Sequence, residues 1–118
     1  MEFKNKKKPL NNRIKLSNDL INKYPDKIPL IIEKYYKSNL PQSDKENFLL
    51  SQEFTLYQLI FLLRKKLYLE KEKSFYLYTQ KNNKKHILLK DNLTINELYN
   101  LYKDEDNFLY LFYSEYNL

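Results

Sequence analysis

Phe108-Leu109-Tyr110-Leu111-Phe112-Tyr113 is an unbroken run of aromatic and aliphatic side chains with the length of a strand. Successive residues of a strand point to opposite faces, so a run with no polar face must be covered on both sides. It belongs in the middle of a sheet. Working outward, Ile28-Pro29-Leu30-Ile31-Ile32 is a second such run. Pro29 has no N–H to give a neighbouring strand and so marks an irregular or unpaired spot there. Phe75-Tyr76-Leu77-Tyr78-Thr79 is a third candidate, Phe48-Leu49-Leu50 a short fourth, and His86 to Leu89 a weaker fifth.

Two helices are announced by the same local chemistry. In Thr55-Leu56-Tyr57-Gln58 the threonine hydroxyl and the glutamine amide satisfy backbone N–H groups that a first helical turn leaves unpaired, and Phe54 and Leu59 flank the box as a hydrophobic staple. Leu56, Leu59, Ile60, Leu63 and Leu67 then recur at helical spacing. Arg64, Lys65 and Lys66 fall near the last turn, where positive charge suits the helix dipole. Thr94-Ile95-Asn96-Glu97, stapled by Leu93 and Leu98, repeats the device and starts a shorter helix that ends before Asp104-Glu105-Asp106. The likeness of the two boxes is shared capping chemistry, not an internal repeat. Upstream, Ile14, Leu16, Leu20, Ile21 and Tyr24 are spaced as on an amphipathic helix over Asn12 to Tyr24, which Pro25 stops. The lysine-rich stretch from Lys81 to Lys85 reads as a loop.

The order is therefore helix, strand, strand, long helix, strand, short strand, short helix, strand. Strand-strand-helix-strand-strand with a central last strand is the β-grasp layout. At 118 residues, 42% hydrophobic and 31% charged, the chain is one domain with enough apolar material for a core. It has no cysteine, which excludes a disulfide framework, a thiolate nucleophile and a cysteine-based zinc site. No segment reaches the roughly 20 apolar residues of a membrane helix, so attachment to a membrane would be peripheral, partner-borne or covalent. The net charge of +6 raises nucleic acid or acidic lipid as partners. Glycine, alanine, valine, tryptophan and cysteine are all absent, however, while lysine, asparagine, tyrosine, leucine and isoleucine abound. That bias fits an AT-rich coding sequence, so part of the positive charge is compositional.

Tyr24-Pro25-Asp26-Lys27-Ile28-Pro29-Leu30-Ile31-Ile32-Glu33-Lys34 resembles the signature of the autophagy ubiquitin-like modifiers, the family of GABARAP and microtubule-associated protein light chain. The resemblance continues through Leu40-Pro41, Asp44-Lys45, Phe48-Leu49-Leu50, Thr55 with Gln58, and Leu63-Arg64-Lys65-Lys66-Leu67. It resumes in the acidic segment leading into Phe108-Leu109-Tyr110 and in Tyr113-Ser114. It runs without a gap from Pro9 to Gln80. Between Gln80 and Leu98 the family's proline-proline-threonine loop is missing and the segment is several residues longer. The resemblance implies an α+β fold, a ubiquitin-like β-grasp with two N-terminal helices packed on the sheet. Residues 1–24 would form the helical extension and 25–118 the core, together one structural unit.

The family is similar in ending, once processed, on a glycine that activating and conjugating enzymes pass to phosphatidylethanolamine. This sequence has no glycine, and Leu118 aligns two residues short of that position. A side-chain-free tail threads a narrow enzyme channel that other residues resist. The expectation is that these enzymes and the membrane are partners only if a terminal glycine exists and is processed, and that the chain as it stands is not lipidated in the family's way.

The family's binding mode is β-augmentation, in which an aromatic-x-x-aliphatic peptide adds to the edge of the second strand. Alternation along that strand lets Leu49 serve one pocket while Phe48 and Leu50 serve another. The resemblance places Leu16, Leu20, Pro29, Leu49 and Phe108 in the first pocket. It places Phe48, Leu50, Phe54, Leu59 and Leu62 in the second, with Lys27, Lys45, Lys65 and Lys66 as a basic rim that favours acidic flanks on the peptide. Leu16 stands where relatives carry an acidic residue, and Ser51 where they carry proline. The plainer reading makes these core residues and solvated lysines, and makes Arg64 the centre of a structural ion pair.

No catalytic constellation emerges. His86 is the only histidine and reads as a surface or strand residue; Asp104-Glu105-Asp106 lacks the glycine and spacing of a calcium loop and reads as a solvated turn. A phosphate loop is impossible without glycine. With the resemblance, this implies a non-enzymatic, cytoplasmic monomer without cofactor or metal, associated with autophagosome or vesicle membranes. Its partners would be autophagy receptors and adaptors carrying such motifs. A basic nucleic-acid-binding β-grasp domain is the alternative reading.

Overall fold

A computed structural model describes residues 9–81 and 85–118. In chain order the elements are helix α1 (Leu10–Lys23), strands β1 (Lys27–Lys34) and β2 (Asn47–Ser51), helix α2 (Leu56–Lys66), strands β3 (Tyr76–Lys81) and β4 (Lys85–Leu88), helix α3 (Ile95–Tyr102) and strand β5 (Leu109–Ser114). A helix ahead of α1 would fall outside the described residues.

The strands form one sheet in the order β2-β1-β5-β3-β4, so the aromatic run is indeed the middle strand. β5 lies parallel to β1, with Leu30 opposite Leu109, and antiparallel to β3, with Leu77 opposite Tyr113. Every residue of β5 is buried. This mixed five-stranded sheet, crossed by α2, is the β-grasp.

The two faces of the sheet carry different cores. Ile28, Leu30 and Ile32 of β1 and Leu109, Leu111 and Tyr113 of β5 point to one side, where they pack with Leu56, Leu59, Leu63 and Leu67 of α2 and its end and with Ile95 and Leu98 of α3. Ile31 and Tyr110 point to the other side, where they pack with Phe108 beneath Leu20 of α1. Tyr113, fully buried, donates its hydroxyl to Pro41 O at 2.8 Å and accepts Ser43 N–H at 3.0 Å, fixing the connection from β1 to β2. Burial raises the Tyr113 hydroxyl pKa, partly opposed by the Ser43 N–H, so it stays a donor.

Both capping boxes are present. α2 ends in a hydrogen-bonded turn of the Schellman type, Tyr68 N–H to Lys65 O at 3.1 Å and Leu69 N–H to Arg64 O at 3.0 Å. That motif puts one residue in the left-handed region, a place usually taken by glycine. Here Tyr68 takes it, with φ of 54°.

Pro29 is the unpaired spot its missing N–H implies, and two other expectations change. Pro29 costs the β1–β2 ladder nothing: Ile32 N–H bonds Glu46 O, so alternation sends the bonds of Leu30 and Ile28 to β2 and leaves Pro29 at a non-bonded position opposite Leu49. Its nitrogen faces β5, whose ladder begins only one residue later, at Leu30. Lys81 and Lys85 are strand residues paired with each other rather than loop, and the part of that stretch between them, 82–84, lies outside the described residues. The acidic turn before β5 is not solvated throughout, since Asp106 is completely buried.

Candidate functional site: the β2 edge and its two flanks

β2 is one edge of the sheet. Because Phe48 and Leu50 hydrogen-bond to β1, the N–H and C=O groups of Asn47 and Leu49 point toward the open side. A short edge with outward main-chain groups is where an extended peptide can add as a further strand. The side chains of the same strand part as alternation requires: Phe48 and Leu50 join the α2 core, while Leu49 sits on the opposite face as the direct neighbour of Pro29.

On the α1 flank the first set is brought together in two contacting groups. Leu49 pairs with Pro29, and Leu20 packs against Phe108. Continuing the β1–β5 register by one residue sets Pro29 opposite Phe108 and joins the groups. Pro29 and Phe108 are thus the buried members and Leu49 and Leu20 the half-buried ones, while Leu16 lies at the surface of α1, 38% exposed.

On the α2 flank, Phe54 and Leu62 line an open groove of about 470 Å³ together with Tyr57, Gln58, Phe61 and Lys65. Phe48 and Leu59 lie in the core below, Leu59 with no exposure at all, and half-buried Leu50 packs against it. Tyr57 and Phe61, more than half exposed, did not stand out in the sequence. Both lie off the apolar stripe of α2, and large exposed apolar residues on the polar side of a helix are the signal that would have found them.

The four rim lysines stand at three places around the edge. Lys27 stands opposite Ser51 at one end of the β1–β2 ladder, and Lys45 precedes β2 at the other, with its ammonium 5.3 Å from the centre of the Phe48 ring. Lys65 lies over Phe61 at 5.4 Å and lines the α2 groove; Lys66 beside it is exposed. Arg64 stands in the last turn of α2 as expected, but its hydrogen bonds are to main chain rather than to a carboxylate: one guanidinium nitrogen donates to Glu70 O at 2.7 Å and Lys71 O at 3.2 Å, holding the turn after α2. His86 is an exposed residue of β4, edge-on to Tyr35 and Phe112.

The sequence reading also missed a buried polar cluster beside the first set. Arg13 Nε donates to Asp106 Oδ2 at 2.8 Å, the Tyr110 hydroxyl donates to the same oxygen, and Phe108 N–H donates to Oδ1 at 2.9 Å. Burial opposes the charge on Arg13, but Asp106, helped by Tyr110 and Asp104, more than offsets it and raises its pKa. Burial first, then Asp106, drives the Tyr110 hydroxyl pKa far up against the opposing pull of Arg13, so that it donates at any ordinary pH. Among the described residues, no group of three or more histidine, cysteine, aspartate or glutamate side chains is placed to hold a metal ion. No described helix is long and apolar enough to cross a membrane.

A five-stranded mixed sheet with edges at β2 and β4, its last strand central and parallel to β1, and an N-terminal helix on the face opposite α2 define a ubiquitin-like protein. Residues 12–118 match the family described as autophagy protein Atg8 ubiquitin like. The chain is 37% identical over 102 residues to autophagy-related protein 8h of Arabidopsis thaliana, covering 86% of this chain and 82% of the relative. It is 35% identical over 109 residues to autophagy-related protein 8a of the same plant, covering 92% and 85%. The crystal structure of Trypanosoma brucei ATG8 superposes with a TM-score of 0.83 at 32% identity, covering 97% of this chain and 93% of that one. The chain belongs to the Atg8 family and is an autophagy-related ubiquitin-like protein; the nucleic-acid alternative finds no support in these relatives. Membership places its partners, in general terms, among autophagy receptors and the conjugation machinery.

Proposed function

We propose that this protein is a non-catalytic adaptor that binds aromatic-x-x-aliphatic segments of autophagy receptors by adding them to the β2 edge. The observation that carries the reading is the split at β2: outward main-chain groups at Leu49, with Leu49 on the α1 flank and Phe48 and Leu50 on the α2 flank. In an extended peptide, residues at i and i+3 point to opposite faces, so an aromatic-x-x-aliphatic ligand would send its anchors to the two flanks. The aromatic anchor is assigned to Leu16, Leu20, Pro29, Leu49 and Phe108, the aliphatic one to Phe48, Leu50, Phe54, Leu59 and Leu62. Lys27, Lys45, Lys65 and Lys66 surround the two flanks without closing on each other, which favours acidic residues before and after the motif through long-range attraction rather than fixed pairs. In this reading residues 1–24 and 25–118 are the extension and the core of one monomeric unit in the cytoplasm, recruited to autophagosome or vesicle membranes through partners. Conjugation to phosphatidylethanolamine would require a terminal glycine.

Isothermal titration with an acidic-flanked tryptophan-x-x-leucine peptide tests the reading. Micromolar affinity that is lost when either anchor becomes alanine is expected. Binding that ignores the anchors and falls only with salt would contradict it.

A further inference from the structure

Asp106 is completely buried, yet it ties together two elements far apart in sequence. Its carboxylate takes Arg13 Nε, the Tyr110 hydroxyl and the Phe108 N–H, and its main-chain carbonyl takes the Ser17 hydroxyl. Arg13 and Ser17 are one turn apart on α1 and share a face. Leu20 follows about a turn later and is the α1 residue packed on Ile31, Phe108 and Tyr110. Apolar contact alone is non-directional and lets a helix roll on its bed. Hydrogen bonds to one fixed carboxylate and carbonyl are directional, so they set the roll. The roll of α1 in turn sets where Leu16, at the surface of the same helix, stands relative to Leu49 on the β2 edge and Pro29 on β1 beside it.

We propose that Asp106, acting with Arg13, Ser17 and Tyr110, is the positioning group of the aromatic-anchor pocket: it fixes the rotation of α1 over the sheet and thereby the size of ring the pocket admits. The inference rests on the peptide reading above. Asp106 and Arg13 do not touch the peptide; they act through Leu20, Leu16 and Phe108. The arrangement also explains why a charge is kept at the junction of a helix and a sheet that apolar residues would hold more cheaply in free energy.

The test uses the full chain and three acidic-flanked peptides: tryptophan-x-x-leucine, phenylalanine-x-x-leucine and tryptophan-x-x-valine. Tyr110→Phe and Ser17→Ala each delete one hydroxyl, and Asp106→Asn is the stronger variant; a melting curve establishes that each is folded. The tryptophan-to-phenylalanine affinity ratio is expected to shift by about fivefold in Tyr110→Phe, the equivalent of one ordinary hydrogen bond. The leucine-to-valine ratio, which reads the other pocket, should stay where it is. A general loss of stability lowers all three affinities together and leaves both ratios unmoved. An unmoved tryptophan-to-phenylalanine ratio in the two hydroxyl variants, or a matching change at both anchors, overturns the positioning role while leaving the peptide reading intact. Failure of the unaltered chain to bind any of the peptides overturns the peptide reading and this inference with it.

Discussion

Thr55 and Thr94 face each other across a single antiparallel bridge, each at the N-cap of its own helix. The bridge makes the two capping boxes mutual. Leu56 N–H, the first of α2, donates to Leu93 O at 2.9 Å, and Ile95 N–H, the first of α3, donates to Phe54 O at 2.7 Å. The next N–H of each helix is met from the other side too, Tyr57 by Asn92 Oδ1 and Asn96 by Gln52 O, and the third by the cap threonine itself. Donors that helix starts ordinarily leave to water are thus satisfied by the partner helix's approach segment.

Removing one cap should therefore disturb both. Thr55→Ala and Thr94→Ala are each expected to cost about 1 kcal/mol. Their double mutant should deviate from additivity by about 0.5 kcal/mol or more, because the two sites share one bridge. Urea unfolding of the four-member cycle measures this; strict additivity would show the boxes to be independent.

At the other end of α2, Tyr68 holds a left-handed backbone with its side chain 93% exposed. The ring contributes little packing there, while a Cβ in that region is costly. Tyr68→Gly should raise stability by about 1 kcal/mol, less whatever the added freedom of the unfolded chain takes back. A lower melting temperature in the variant would show that the exposed ring does more than the geometry indicates.

The Arg13–Asp106 pair is buried and shared with Tyr110 and Ser17. Truncating one partner leaves the other charge in the interior without its counterpart, so Arg13→Ala is expected to destabilise by about 3–5 kcal/mol. Denaturant titration gives the value; a loss below about 1 kcal/mol would place the pair with ordinary surface bridges.

Glu115 gives stability a dependence on pH. Burial pushes its pKa up, but hydrogen bonds from the Ser38 hydroxyl, its own backbone, Asn39 N–H and Ser114 together outweigh this and hold it below the usual value. With a depressed folded-state pKa, the unfolded chain takes up the proton first as pH falls. The stabilisation is complete above an unfolded pKa of about 4.3 and is lost as pH drops through the folded value. The difference in unfolding midpoint between the unaltered protein and Glu115→Gln should therefore be constant near neutrality and shrink below about pH 4. A difference that persists in acid would assign the effect to shape rather than charge.

Much of this fold was legible in the sequence because local and tertiary demands coincide. The run Phe108–Tyr113 has no polar face and sits in the middle of the sheet; the boxes at Thr55 and Thr94 cap the helices they announce. Alternation alone separates Leu49 from Phe48 and Leu50, and the register agrees. What escaped was tertiary. Asp106 looks like its exposed neighbour Glu105 in a charged turn, and only the arrival of Arg13 from the other end of the chain makes its burial possible. Pro29 could be read as an unpaired spot, but a single strand does not reveal which neighbour its nitrogen will face. Tyr57 and Phe61 were passed over because the helical stripe explains its own members and says nothing of apolar residues outside it.

The most direct test of the account is the affinity of Leu49→Arg for the acidic-flanked tryptophan-x-x-leucine peptide. Leu49 turns its main chain to the open edge and its side chain to the α1 flank beside Pro29, and it is half-buried, so arginine there can reach solvent without unfolding the core. The account predicts an unchanged melting temperature and a loss of affinity of about 100-fold, the order of truncating a central anchor contact. Affinity equal to that of the unaltered protein would contradict the assignment of the β2 edge as the peptide site.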